Sequence, residues 1–157
     1  MANSRRHHRP SVRAIPIHGS RDALDVVSLA AAEPLRAETI ALLLDDDHIG
    51  RACVVIEGTQ DPDDVVDVAH LMAELAERDV AVHAIVLASI RPRAATATVL
   101  ESAGDRPERN DVDRWLELLD LFEHAGIDLL DWYVVTQQTV SSLRSRTGMP
   151  PLWRDAC

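Results

Sequence analysis

Val80-Ala81-Val82-His83-Ala84-Ile85-Val86-Leu87-Ala88 is the stretch on which the fold of this chain turns. It is almost wholly apolar and short for a helix, so it predicts a strand buried on both faces. A strand of that kind sits at the centre of a sheet and needs helices on both sides to cover it.

Helical segments flank it. Upstream, Asp61-Pro62-Asp63-Asp64 is a helix start, with an aspartate at the N-cap, proline at the first helical position and acids near the positive end of the dipole. Val65, Val68, Ala69, Met72, Leu75 and Ala76 then recur at three- and four-residue steps and mark one apolar face. Downstream, Arg109 or Asn110 opens a helix whose Val112, Trp115, Leu116, Leu119 and Phe122 share a face, and Gly126 ends it.

Outward from these helices the chain reads as strands. Thr39 to Leu44 and Ala52 to Ile56 are short apolar runs joined by the polar Asp45-Asp46-Asp47-His48-Ile49-Gly50, a hairpin. Ile127 to Thr136 and Thr139 to Leu143 form a second pair around Gln137-Gln138. Ser20 caps a first helix over Arg21 to Leu29, and Pro34 stops it. Pro92, Gly104 and Pro107 break the pattern between residues 89 and 108, where a poorly ordered loop is expected. The order defines an α/β fold: a three-layer α/β sandwich in which one mixed sheet is flanked by helices.

With 157 residues, 46% of them hydrophobic, the chain has the material for one core and not for two ordinary domains. The expected organisation is a disordered basic arm over 1–20, a folded unit over 21–146 and a tail over 147–157. No apolar run approaches the roughly 20 residues that span a bilayer, and the N-terminus lacks the apolar core of a signal peptide, so a cytoplasmic protein with no membrane contact is expected. Arg5, Arg6, Arg9 and Arg13 give the arm a charge of +4, whereas the remaining 12 arginines and 26 acids leave the body at −14. An acidic body repels phosphate backbones. Nucleic acid is therefore an improbable partner except through those four arginines, and without aromatics they make a weak footprint.

From about Leu24 to Arg144 the chain resembles the RadC-like proteins of the JAB/MPN metalloprotease superfamily. The residues that carry the resemblance are Ala84-Ile85-Val86-Leu87-Ala88 leading to Pro92, Arg106 to Asp111 opening a helix, Ala125-Gly126-Ile127-Asp128-Leu129-Leu130-Asp131-Trp132 and the closing Ser142-Leu143-Arg144. The family shows the same succession: an apolar strand, a His-Asn-His-Pro turn, a Pro-Ser-x-x-Asp helix start, a Gly-Ile-x-Leu-Leu-Asp-His strand and a closing Ser-Leu-Arg. The resemblance implies a JAB/MPN (cytidine-deaminase-like) sheet. It also implies a zinc held by two histidines and an aspartate, with a fourth position for water that a glutamate deprotonates.

Placed on this sequence, the two histidines fall on Ser89 and Arg91, the serine on Glu108 and the aspartate on Asp111. The histidine of the later strand falls on Trp132, and Glu38 is the nearest match for the glutamate. Only Asp111 survives among the ligands. A guanidinium keeps its proton and repels Zn²⁺, so Arg91 removes the site chemically as well as by pattern. An Arg91–Asp111 ion pair in its place is one expectation, and an exposed arginine on a mobile loop the other.

Other residues rebuild no site. His48, His70, His83 and His124 share no ligand spacing, and a strand histidine such as His83 is more often packed and hydrogen-bonded than metal-bound. Asp45-Asp46-Asp47 lacks the spaced oxygens of a calcium loop and reads as a solvated turn. Cys53 falls within an apolar strand that reads as buried. No catalytic residue, metal or cofactor is assigned. The expected function is a catalytically inactive domain that binds a protein partner or forms a homodimer, as inactive members of the superfamily do, with Trp115, Phe122 or Trp153 as anchors unless they serve the core. The alternatives are a metal-dependent, peptidase-like hydrolase with atypical ligands such as Glu108 and Asp111, or a DNA-repair-associated protein touching DNA through its arm.

Overall fold

The computed structural model describes residues 16–59, 61–92 and 109–153. Arg5, Arg6, Arg9, Arg13 and Glu108 lie outside them, as do most of the expected loop and the end of the tail. The elements run α1 (Ser20–Ala30), β1 (Glu38–Leu44), β2 (Gly50–Glu57), α2 (Pro62–Arg78), β3 (Ala84–Ile90), α3 (Arg109–His124), β4 (Asp128–Val135), β5 (Val140–Ser142) and α4 (Leu143–Arg146).

The strands form one mixed sheet ordered β2-β1-β3-β4-β5. β1 is antiparallel to both β2 and β3, β3 and β4 are parallel, and β5 returns antiparallel to β4. The strand that decides the fold is thus central, and β3–α3–β4 is a crossover unit of the kind parallel pairing requires. Every residue of β1 and β3 is buried, because both faces of the sheet are covered.

Two apolar layers sandwich it. On one face Ala41, Leu43, Ile85, Leu87, Leu129 and Trp132 meet Val65, Val68, Ala69 and Met72 of α2 and Trp115, Leu118 and Phe122 of α3. On the other, Ile40, Leu42, Leu44, Val86, Ala88 and Tyr133 meet Ala23 and Val27 of α1, with Ile17 and Trp153 closing the layer. Ile17 and Trp153 flank the 21–146 unit in sequence, yet both belong to its core.

Local chemistry explains the ends and also where the expected details fail. Asp61 takes the N-cap of α2 and Pro62 its first turn, although the Asp61 side chain caps no amide. Gly126 adopts φ 71° after α3 and donates its amide to Glu123 O at 3.0 Å, a left-handed helix end that disfavours a side chain. Ser20 is the first helical residue of α1 and Gly19 its cap. Leu75 and Leu116, placed by periodicity on apolar faces, are 37% and 51% exposed, whereas the unassigned Leu118 is fully buried. The α3 stripe follows 115, 118 and 122, one position away from Leu116. Cys53 is exposed, since β2 forms an edge of the sheet, and His83 is exposed just ahead of β3.

β4 carries an irregularity: Ile85 faces Leu129 but Val86 faces Asp131, so Leu130 is passed over in the register. β5 spans only three residues and pairs with Tyr133 to Val135, so among the described residues no strand pairs with the earlier part of that side of β4. Arg144 fills the gap. Its Nε donates to Leu130 O at 2.7 Å and one terminal nitrogen to Leu129 O at 2.8 Å, while the guanidinium lies 5.4 Å from the Trp115 ring centroid. Asp131 completes the joint, accepting from Ser142 Oγ at 2.6 Å and from the Arg144 amide at 3.2 Å.

Candidate functional site

Parallel strands direct their carboxyl ends toward one edge of the sheet, where α/β proteins form their sites. Here β3 delivers Ser89 and Arg91 to that edge, β4 delivers Trp132, and the first turn of α3 delivers Asp111. The Arg91 amide donates to Val135 O at 2.8 Å, which fixes the exit of β3 against the end of β4.

Arg91 and Asp111 form the ion pair. One terminal nitrogen of the guanidinium donates to Asp111 Oδ1 at 2.7 Å and the other to Oδ2 at 3.0 Å, a bidentate arrangement. The Asp111 side chain is fully buried and that of Arg91 is 16% exposed. This is the geometry that was set against a free surface arginine, and the contact spans 20 positions of chain. Beneath it Trp132 Nε1 donates to Ser89 Oγ at 2.8 Å, with both side chains buried. Ser89, Arg91, Asp111 and Trp132, four of the positions onto which the resemblance places motif residues, are thus linked in two pairs.

Glu38 does not join them. Along β1, Ile40, Leu42 and Leu44 face α1 while Ala41 and Leu43 face α2 and α3. Side chains alternate along a strand, so Glu38 lies on the α1 face. It is buried there, and its Oε1 accepts the Ala32 amide at 2.9 Å, tying down the chain that follows α1. Ser89, by the same alternation from Ile85 and Leu87, lies on the opposite face with Trp132. The sheet therefore separates Glu38 from the other four.

A metal does not fit this arrangement. Both carboxylate oxygens of Asp111 face a guanidinium, and Ser89 Oγ is bonded to an indole N–H. Among the described residues no three His, Cys, Asp or Glu side chains converge as a metal would require. That includes the opposite end of the sheet, where a cleft of about 240 Å³ is lined by Asp45, Asp46, His48, His83 and Asp128. Asp45 has a structural role there, since its Oδ1 accepts the amides of Asp47 and Ile49 and so shapes the hairpin turn. His48, in that turn at φ 59°, packs edge-on against Trp153. His70 is exposed, and exposed His124 donates from Nδ1 to the Asp120 carbonyl at 2.8 Å, within its own helix.

Sequence reasoning missed the Asp131–Arg144 joint as a unit. The two residues were visible only as matches to family motifs, and their contact depends on the passed-over Leu130, which leaves no mark in composition or period. No helix among the described residues is long and apolar enough to cross a membrane. No protein-family model and no curated protein matches the chain. The fold and the site define an α/β sandwich whose sheet edge is closed by a buried ion pair.

Proposed function

We propose that this chain is a degenerate RadC-like JAB/MPN domain, catalytically inactive, that serves as a protein-binding or scaffold module. The observation that carries the reading is the bidentate Arg91–Asp111 pair, which engages the one surviving ligand of the family's zinc site. The Ser89–Trp132 hydrogen bond supports it from the next layer. Replacement of a metal site by groups that neutralise and hydrogen-bond one another keeps the architecture while removing the Lewis acid and its water. The retained Leu129-Leu130-Asp131 and Ser142-Leu143-Arg144 matches support the fold half of the reading, because they interlock to hold β4, β5 and α4 together.

The aromatic anchors considered for an interface belong to the core: Trp115 and Phe122 are fully buried and Trp153 is 9% exposed. A binding surface must therefore come from elsewhere on the molecule. Metal analysis of the purified chain, together with a peptidase assay with and without added zinc, tests the inactive reading. Stoichiometric zinc whose removal abolishes a hydrolytic activity would reject it.

A further inference from the structure

The two edges of the sheet are treated differently. The β5 edge is three residues long and runs directly into α4. The β2 edge is eight residues long, and between Arg51 and Glu57 it reads Ala52-Cys53-Val54-Val55-Ile56, with no charge and no proline. Long uncharged edges are templates for another strand, and proteins usually block them with charge, proline or a covering element. Among the described residues the outer side of β2 meets only an isolated bridge between Pro16 and Ile49, just before the strand begins.

The direction of the free backbone groups follows from the register. Glu38 faces Glu57, so Ala37 faces Gly58, and the Gly58 amide donates to Ala37 O at 2.7 Å. Hydrogen-bonded pairs alternate along an antiparallel ladder. Ile56 and Val54 therefore turn their backbone groups toward β1, while Glu57, Val55 and Cys53 turn theirs outward. Arg51 is the residue passed over where the register shifts, Leu43 facing Ala52 and Leu44 facing Gly50.

We propose that a second copy of this chain occupies that edge, the two β2 strands pairing antiparallel about a two-fold axis at Val54 and joining the sheets into one. The assignment deepens the protein-binding reading but rests on the edge strand, not on the inactive site. The register is chosen by charge. Centred on Val54, Arg51 of each copy faces Glu57 of the other, Ala52 faces Ile56, and the outward-facing Cys53 and Val55 form the hydrogen-bonded pairs. Centring on Cys53 or Val55 leaves both charged residues without an opposite charge. Opposite charges across a ladder favour pairing and like charges oppose it.

The charged groups are available. Among the described residues Arg51 and Glu57 are held by exposed contacts, to Asp79 at 3.6 Å and Arg36 at 3.4 Å, and their side chains are 45% and 69% exposed. Pairs of that kind contribute little and exchange readily. The chain's own N-terminal segment suits the edge less well. A strand continued from Pro16 in the Pro16–Ile49 register would set Pro10, which has no N–H to give, against Val55, and Arg13 beside Arg51.

Light scattering on the full chain at about 100 μM, where an interface of micromolar strength is populated, should give a dimer. Arg51→Glu and Glu57→Arg, each creating two like-charge contacts, should weaken it by about tenfold or more. The double variant Arg51→Glu/Glu57→Arg should restore it, and circular dichroism of each variant separates loss of pairing from loss of fold. Val55→Cys in a Cys157→Ser background should cross-link on oxidation through Cys53 of the other copy, since hydrogen-bonded antiparallel residues have Cα atoms about 5.5 Å apart, within disulfide range. A monomer at that concentration, or a dimer indifferent to the charge exchange and without the cross-link, overturns the proposal. A monomer free of tightly bound zinc would overturn the dimer alone, and a zinc-dependent hydrolase that dimerises as described would overturn the inactive reading alone.

Discussion

Replacing Arg91 by alanine should cost about 2–4 kcal/mol of folding stability. Its guanidinium forms two hydrogen bonds to a fully buried carboxylate, and removing it takes both charge-assisted bonds from that carboxylate. Breaking a buried pair from one side typically costs about 3–5 kcal/mol. Asp111 lies in the first turn of α3, whose positive end offsets about 1 kcal/mol of that. Asp111→Ala should cost less, about 1–3 kcal/mol, because the abandoned guanidinium sits at the partly exposed side of the pair and can turn to water. Urea unfolding monitored by tryptophan fluorescence measures both, and with a slope of about 2 kcal/mol per molar the arginine variant should lose about 1–2 M of its midpoint. The double variant should cost much less than the two single changes together. A loss below about 1 kcal/mol for Arg91→Ala, with additive behaviour in the cycle, would mean a solvated surface contact and refute the reasoning.

Three further outcomes are expected. Ser89→Ala should destabilise by about 1–3 kcal/mol, because the buried indole N–H of Trp132 loses its acceptor, and Trp132→Phe in the same background should add less than it does alone; equal costs in both backgrounds would contradict the pairing. Arg144→Lys should cost about 2–4 kcal/mol despite keeping the charge, since an ammonium cannot serve the Leu129, Leu130 and Pro150 carbonyls together, and thermal unfolding close to that of the parent would reject that role. Tyr133 is the sole tyrosine, and burial, aided by the nearby Asp131 carboxylate, pushes its phenol up to about 12. Its ultraviolet titration in the folded protein should have its midpoint near there, and stability should fall between pH 10 and about 12, where the unfolded phenol has lost its proton and the folded one has not; a midpoint near 10 with the fold intact would contradict the burial.

The architecture was legible because its strongest signals are local. The Asp61-Pro62 helix start and the Gly126 stop lie where their residue types put them, and the apolar run ending at Ala88 supplies the central strand, although that strand begins only at Ala84, runs on to Ile90 and leaves Val80 87% exposed ahead of it. Edges were not legible. β2 carries Cys53, Val54, Val55 and Ile56 and so reads as a buried strand, and only the strand order reveals that among the described residues no further strand pairs with its outward side. The candidate site was read in part. The Arg91–Asp111 pair follows from two chemically complementary types brought to one place by the resemblance, whereas the placement of Glu38 depends on which side of the sheet α1 covers, a tertiary fact that periodicity does not contain. Arg144 is the clearest omission: a buried arginine capping carbonyls beside a register shift has the same sequence appearance as an exposed one.

The most direct test of the central reading is the metal content of the full-length protein purified from zinc-replete cells without chelators, paired with its melting temperature before and after EDTA. Zinc far below one atom per chain, with unchanged melting, is expected if Arg91 and Asp111 have taken over the position at which the family resemblance implies a metal. One tightly held zinc per chain, whose removal lowers the melting temperature, would contradict it.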